Sequence, residues 1–242
     1  MASRKEQKEA ARQRRLAEER ARAERARRDR RLRMLGGTLI GAIAVVAVAI
    51  AISSGGGSAA VIKPNSPAAK QAQSKVNTLL AGIPQSGNTL GNPNAKVTVT
   101  EYGDLVCPVC KSFALGAQNQ LIANEVRQGK VKIVYKALET ASGQANGSMF
   151  VPSQAAALAA GNQKKAWNYI ELFYHEQGDE TSSYVTDNYL GGLAAQIPGL
   201  NVSQWSSDRQ SSALSSKVTA DQQAAAAAGF GSTPTLVVAG PK

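Results

Sequence analysis

The segment "KVTVTEYGDLVCPVCKSFALGAQNQLIANEVRQGKVKIVYKAL", Lys96–Leu138, limits the folds open to this chain more than any other stretch. Lys96–Tyr102 alternates β-branched residues and reads as a strand. A turn through Gly103–Asp104 leads to Cys107, and Phe113, Leu121, Ile122 and Val126 then mark a helix that ends at Gly129. Lys130–Leu138 reads as a second strand. Strand, helix and strand within roughly 40 residues make a βαβ unit, which demands parallel strands with a helix packed across them. Residues 150–228 are largely helical in pattern, with Trp167 and Trp205 as core candidates and the run Ala224–Ala228 suited to close helix packing. "GSTPTLVVAGPK" then supplies a loop, a proline and a short strand, Thr235–Ala239. A helical block between a βαβ half and a returning strand is an α/β layer fold with a helical insertion at about 149–228.

The charge lies elsewhere. Residues 1–33 carry 14 Lys and Arg against 6 Asp and Glu, a net of +8 out of +11 for the chain. Glu18–Arg22 and Glu24–Arg28 have the i,i+4 spacing of a solvated helix. No aromatic residue precedes Tyr102, so the tail offers bases nothing to stack on, and no groove-reading motif is present. Nucleic acid is not expected as a partner, and the tail reads as a charged helix beside anionic lipid. Met34–Ile52 then runs 19 residues without an ionisable side chain. As a helix it spans about 28 Å, close to the hydrocarbon thickness of a bilayer. We read it as a transmembrane anchor, with a signal peptide cleaved near Ser58–Ala60 as the rival. Arginines on its N-terminal side place that end in the cytoplasm and the rest outside. Residues 53–91 read as a linker with a short helix at 69–81, whose Val76, Leu79 and Leu80 share one side, and 92–242 as the main domain.

The two cysteines, Cys107 and Cys110, are the only ones in the chain. A structural zinc site needs four ligands, and the single histidine, His175, lies 65 residues beyond Cys110, so no metal is expected. A disulfide across so short a loop constrains little of the unfolded chain, which makes a static staple a poor reading. Redox exchange remains, and it needs a thiolate. Cys107 falls where the strand gives way to the helix, and the unpaired N–H groups of a helix start favour negative charge there. Pro108 suits the first helical turn, and Cys110 follows one turn later.

"LGNPNAKVTVTEYGDLVCPVC", "QKKAWNYIELFYHEQ", "AAQIPGLNVSQW" and "AAAAAGFGSTPTLVV" resemble, in order, the DsbA-like thiol–disulfide oxidoreductases, and among these the membrane-tethered bacterial members with a thioredoxin fold. The resemblance covers roughly residues 80–240. It implies that Cys107 is the attacking cysteine and Cys110 the buried, resolving one. It implies that Pro234, after Thr233, is the family's cis-proline. Thr233 and Pro234, with Pro108 and Val109, then form the surface that holds substrate. It also implies that Glu101, six residues before Cys107, is a buried carboxylate moving protons at the resolving cysteine, with Lys136 as a candidate partner. Asp104 is expected to cap or shape the turn, and His175 to be a surface or packing residue. The family pattern continues past the proline strand with a pairing strand and a closing helix. Here the chain ends at Lys242, so that strand is expected either to stand as a bare edge of a truncated sequence or to be covered by the helical insert.

The expected activity is oxidation of secreted or envelope protein thiols, with a membrane redox partner to recycle the enzyme and no organic cofactor. Pro108 leaves the helix start well formed for the Cys107 thiolate, while Val109 adds neither charge nor donor, so the couple is expected above thioredoxin's potential of about −270 mV but short of the extreme near about −120 mV. A disulfide reductase or isomerase of the same fold, for instance in cytochrome maturation, and a non-catalytic envelope binding module are the rivals.

Overall fold

A computed structural model of the chain describes residues 65–143 and 149–241. The basic tail, the apolar run Met34–Ile52 and most of the linker lie outside the described residues. Among the described residues no helix is long and apolar enough to cross a membrane.

The chain enters through α1, Pro67–Leu80, which starts on the Ser66 side chain accepting from the Ala69 N–H at 3.1 Å. Its buried residues Ala69, Ala72, Val76 and Leu80 recur at helical spacing and face the body of the protein. At the far end the chain turns through Ala81 and Gly82, the latter at φ +74°, and the Arg127 guanidinium donates to the carbonyls of Leu79 and Ala81 at 2.6 and 2.7 Å. A small hairpin follows, β1 (Gln85–Ser86) and β2 (Thr89–Leu90). The segment read as linker is thus built into the fold: α1 packs on the insert, and β2 pairs with a central strand.

That strand is β4, Val131–Ala137, which runs parallel to β3, Val97–Gly103. Between them the helix α2 starts as Pro108–Phe113 and continues to Val126 through two wider π turns, Ala114–Gln118 and Ile122–Val126. Gly129 leaves it at φ +72°, the left-handed turn that glycine tolerates best. β5, Thr235–Ala239, adds antiparallel to the free side of β3, so the sheet order is β1-β2-β4-β3-β5. β5 is the edge of the described sheet, and Leu236, Val237 and Val238 are exposed; the insert does not cover them.

The expected helical insertion is α3 (Phe150–Asn162), α4 (Ala166–Glu176), α5 (Asp187–Ala195), α6 (Val202–Asp208) and α7 (Ser212–Ala227). Trp167 and Trp205 are buried as expected, and the Trp205 indole donates to the Ala156 carbonyl at 2.8 Å. The alanine run is a correction. Only Ala225 of Ala224–Ala228 is buried, and the run serves helix propensity on an exposed face. Close packing is done instead by α3, where Ala155, Ala156, Ala157, Ala159 and Ala160 are all buried.

Register decides which side chains reach the site. Glu101 pairs with Tyr135 and Tyr102 with Lys136. Side chains alternate faces along a strand, so Glu101, Val99, Ile133 and Tyr135 share the face under α2 and α4. Lys136 lies on the other face. It pairs with Asp221 of α7 at 3.6 Å and sits 5.6 Å from the centre of the Tyr102 ring. Lys136 is therefore not the partner of Glu101, because one step along β4 moves a side chain through the sheet.

Replacing Trp205 by Phe keeps an aromatic ring against Tyr169 but removes the indole's buried hydrogen bond to the Ala156 carbonyl. Urea unfolding of Trp205→Phe is expected to show a loss of about 1–3 kcal/mol.

Candidate functional site

β3 ends at Gly103, and the chain turns through Asp104 into the helix. A Cβ at Gly103 would stand 2.8 Å from the Tyr135 ring, so only glycine lets that ring lie across the strand end. Asp104 is fully buried and accepts from its own turn and from the loop after β4. Its Oδ1 takes the Val106 N–H at 3.0 Å, while Oδ2 takes the N–H groups of Thr140 and Ser142 at 2.9 Å each. The Ser142 hydroxyl adds a fourth bond at 2.7 Å. The expected turn-shaping role is correct but incomplete. Asp104 also ties the cysteine turn to the loop after β4.

Cys107 is the N-cap residue of α2, extended at φ −72° and ψ 122°, with Pro108 opening the first turn. Its carbonyl already accepts from Lys111 N–H, and Gln177 from the insert donates to the carbonyls of Leu105 and Cys107 at 2.7 and 3.1 Å. Both cysteines are free thiols; Cys107 is 6% exposed and Cys110 0%. The Thr233–Pro234 peptide is cis, as expected, and the Thr233 carbonyl lies 3.9 Å from Cys107 Sγ. Thr233 is placed in turn by its hydroxyl, 2.6 Å from that of Thr140. Cys107, Pro108, Val109 and Thr233 line a groove of about 500 Å³, flanked by Glu139 and Glu180. Val109, 60% exposed, stands on its rim.

The two sulfurs have opposite electrostatics. A hydrogen bond from Cys110 is the largest influence on Cys107 and pulls its pKa down to about 5 against the cost of burial. The Thr233 hydroxyl and the N–H groups of Cys110 and Val109 add to that pull. Cys110 is pushed far above the usual thiol range, first because it donates to Cys107 and then because it is buried. One thiol is held as thiolate and the other as thiol.

Behind Cys110, Glu101 is fully buried, and neither carboxyl oxygen has a hydrogen-bond partner among the described residues. Burial raises it to about 8. The insert supplies a second such acid that the sequence reading did not single out. Glu171 of α4 is equally buried and without a well-formed hydrogen bond among the described residues; burial and then the charge of Glu101 raise it to about 8, while the neighbouring Gln118 side chain pulls the other way. Its signal was available, since Trp167, Ile170, Glu171 and Tyr174 share one helix face that is otherwise apolar or aromatic. Thr140 and Gln177 carried no such signal, because their roles come from loops that meet only in three dimensions. His175 is not part of this arrangement. It is half-buried on a separate groove with Lys75, Leu79 and Leu115, and burial and two lysines push it down to about 4. Among the described residues no group of three or more His, Cys, Asp or Glu is placed to hold a metal ion.

A sequence model of the Thioredoxin family matches residues 85–242. The chain belongs to the thioredoxin family. Within it, the probable disulfide bond formation protein D of Bacillus anthracis is 24% identical over 162 residues, 63% of this chain and 69% of that protein. Disulfide bond formation protein D of Bacillus subtilis is 24% identical over 149 residues, 62% and 66% of the two chains. Among solved structures, oxidised BdbD of Bacillus subtilis superimposes with a TM-score of 0.56 at 23% identity, covering 64% of this chain and 84% of its own. MdbA, a thiol–disulfide oxidoreductase of Corynebacterium diphtheriae, gives 0.53 at 19% identity, covering 64% and 85%. At these identities the structural likenesses show a shared thioredoxin-type fold.

Two outcomes follow from the electrostatics. Iodoacetamide should modify the reduced protein at Cys107 with a half-maximal rate near pH 5, leaving Cys110 unmodified until the protein is denatured. Thr140→Val, which frees the Thr233 hydroxyl to wander, should lower the Cys107 rate at pH 5 about two- to threefold. The buried acid gives a second, thermodynamic outcome. Between pH 4.5 and about 8 folded Glu101 keeps a proton that the unfolded chain has lost. Its contribution to stability therefore falls as pH rises through that window, while that of Cys107, lowered from 9.0 to about 5, rises. Glu101→Gln should match wild type below pH 4.5 and exceed it increasingly up to about pH 8, by an amount on the order of a few kcal/mol. Urea unfolding across that range measures the difference.

Proposed function

We propose that this chain is a thiol–disulfide oxidase, held at a membrane by Met34–Ile52 with its folded domain outside the cytoplasm, that introduces disulfides into secreted or envelope proteins. The observation that carries the reading is the placement of Cys107. It caps a helix, is favoured as thiolate, borders an open groove beside the Thr233–Pro234 loop, and has the buried Cys110 one turn behind it. The relatives named for disulfide bond formation support the direction, and the net +8 of residues 1–33 before the apolar run supports the location.

The reaction starts with Cys107 and Cys110 joined. A substrate thiolate enters the groove and attacks Cys107 Sγ, the sulfur that faces it. A substrate–Cys107 bond forms, the Cys107–Cys110 bond breaks, and its electron pair goes to Cys110, which takes up a proton. A second substrate thiolate then attacks the substrate sulfur of the mixed disulfide. Cys107 leaves as thiolate, and its low pKa makes it the better leaving group. Ser232 and Thr233, just before the cis Pro234, bound the groove on one side, and Pro108 and Val109 bound it on the helix side. The reduced enzyme is returned to the disulfide by a membrane redox partner.

Oxidised protein mixed with a reduced, unfolded secreted substrate should form one substrate disulfide per enzyme without added oxidant. Cys107→Ser should abolish this, and Cys110→Ser should trap mixed disulfides. Preferential attack at Cys110 would reverse the two roles. The location is tested by protease added outside intact cells, which should remove the domain and spare residues 1–33; a soluble form beginning near Val61 would identify a cleaved signal peptide instead of an anchor.

A further inference from the structure

Glu171 has no part in the exchange as described, yet its position is costly. Unpaired carboxyls are rarely taken into a protein interior, and here one enters from the insert to meet another from the sheet. Six side chains from five elements form one buried group: Glu101 on β3, Tyr135 on β4, Gln118 on α2, Gln154 on α3, and Glu171 and Tyr174 on α4. Each is at most 3% exposed, and each has at least one polar atom without a hydrogen-bond partner among the described residues. The register sets Tyr135 directly beside Glu101, and Gly103 makes room for its ring. Cys110, Tyr135 and Tyr174 belong to one buried cluster, and the charges of Glu101 and Cys110 both act on the two tyrosines, so the group lies near the resolving thiol.

Among the described residues, the other elements packed on α4 bring no compensating cation to this group. α1 buries Ala69, Ala72, Val76 and Leu80 against it, while its Lys75 acts on His175. α5 turns the Tyr189 hydroxyl to the Glu176 carbonyl, and β2 buries Leu90. Lys111 of α2 donates to the Gln177 carbonyl at 3.4 Å. Two acids without a cation cannot both ionise in such a place, so they must share.

We propose that Glu171 is the second acid of a buried proton store behind Cys110, where it keeps its own proton and donates a hydrogen bond to Glu101 once Glu101 has protonated the resolving thiolate. The inference rests on the exchange reaction proposed above. When the substrate sulfur bonds to Cys107 and the Cys107–Cys110 bond breaks, the electron pair on Cys110 takes the proton of Glu101. Glu101 becomes a carboxylate in a site with no cation, and Glu171 supplies the donor that makes this tolerable. Glu101 regains its proton from solvent before the next cycle. Glu171 acts through Glu101 and touches neither sulfur, so it is a positioning residue.

The test uses the full-length protein and follows the single-turnover rate at which the oxidised form exchanges with a small thiol carrying no other charge, expressed per thiolate present, from pH 5 to 10. Proton donation by Glu101 fails above its pKa, so the rate should fall on the alkaline side. Weakening the donor raises the pKa of Glu101, so this limb should move to higher pH in the order wild type, Glu171→Gln, Glu171→Leu. The shift for Glu171→Leu should be about tenfold in proton concentration, with a slower plateau. Infrared spectra at pH 5 should show two buried protonated carboxyls in wild type and one in Glu171→Gln, and at pH 10 one should persist in wild type and none in the variant, a readout that stands even if the leucine variant does not fold. If the limb stays in place in both Glu171 variants while Glu101→Gln removes it, Glu171 is idle and the proposal is wrong, though the exchange reaction stands. Absence of exchange in wild type would instead overturn the proposed function.

Discussion

The Asp104 carboxylate is where the strand, the cysteine turn and the far loops are joined. It is fully buried, yet it is the buried acid of this site whose oxygens are well supplied: backbone N–H groups from Val106, Thr140 and Ser142 and the Ser142 hydroxyl converge on it. Hydrogen bonds to a charged acceptor are about twice as strong as neutral ones, so the three segments are fixed relative to one another. From Thr140 the link continues through a hydroxyl pair to Thr233, whose carbonyl approaches Cys107 Sγ. Nucleophile and opposing loop are thus positioned from a single point.

Against that fixed frame the domain treats its acids in opposite ways. Asp104 is satisfied and organises; Glu101 and Glu171 are unsatisfied and stay protonated well above the ordinary carboxyl range. The same division holds for the sulfurs, with Cys107 at a helix start and open to a groove, and Cys110 enclosed among apolar side chains and neutral acids. Neighbouring groups pushed apart in pKa are what an exchange reaction needs, since one sulfur must leave as an anion and the other must be protonated.

The central unit was legible in the sequence because each of its parts is a local pattern. The alternation in Val97–Gly103, the helical spacing to Val126, the C-P-V-C pair and the Thr233-Pro234 step can each be read without knowing what they touch. The hairpin Gln85–Leu90 was missed because two-residue strands have no period to detect. Lys136 was set beside Glu101 from proximity along the sheet, and only the register revealed that it points through to Asp221. Glu171 and Thr140 matter through what folds over them. A lone acid on an apolar helix face was a visible anomaly, but its meaning required the strand that it meets. The alanine run shows the reverse error, since composition alone does not tell a packed face from an exposed one.

The central claim is that stabilising the Cys107 thiolate makes this couple an oxidant. Its reduction potential tests that claim most directly, measured by equilibrating the Cys107–Cys110 pair of the full-length protein with glutathione buffers at pH 7. The account predicts a value between thioredoxin's, about −270 mV, and about −120 mV. A value at or below thioredoxin's would contradict it, because the Cys110 hydrogen bond, with Thr233 and the helix-start N–H groups, lowers the pKa of Cys107 to about 5 and must favour the reduced form.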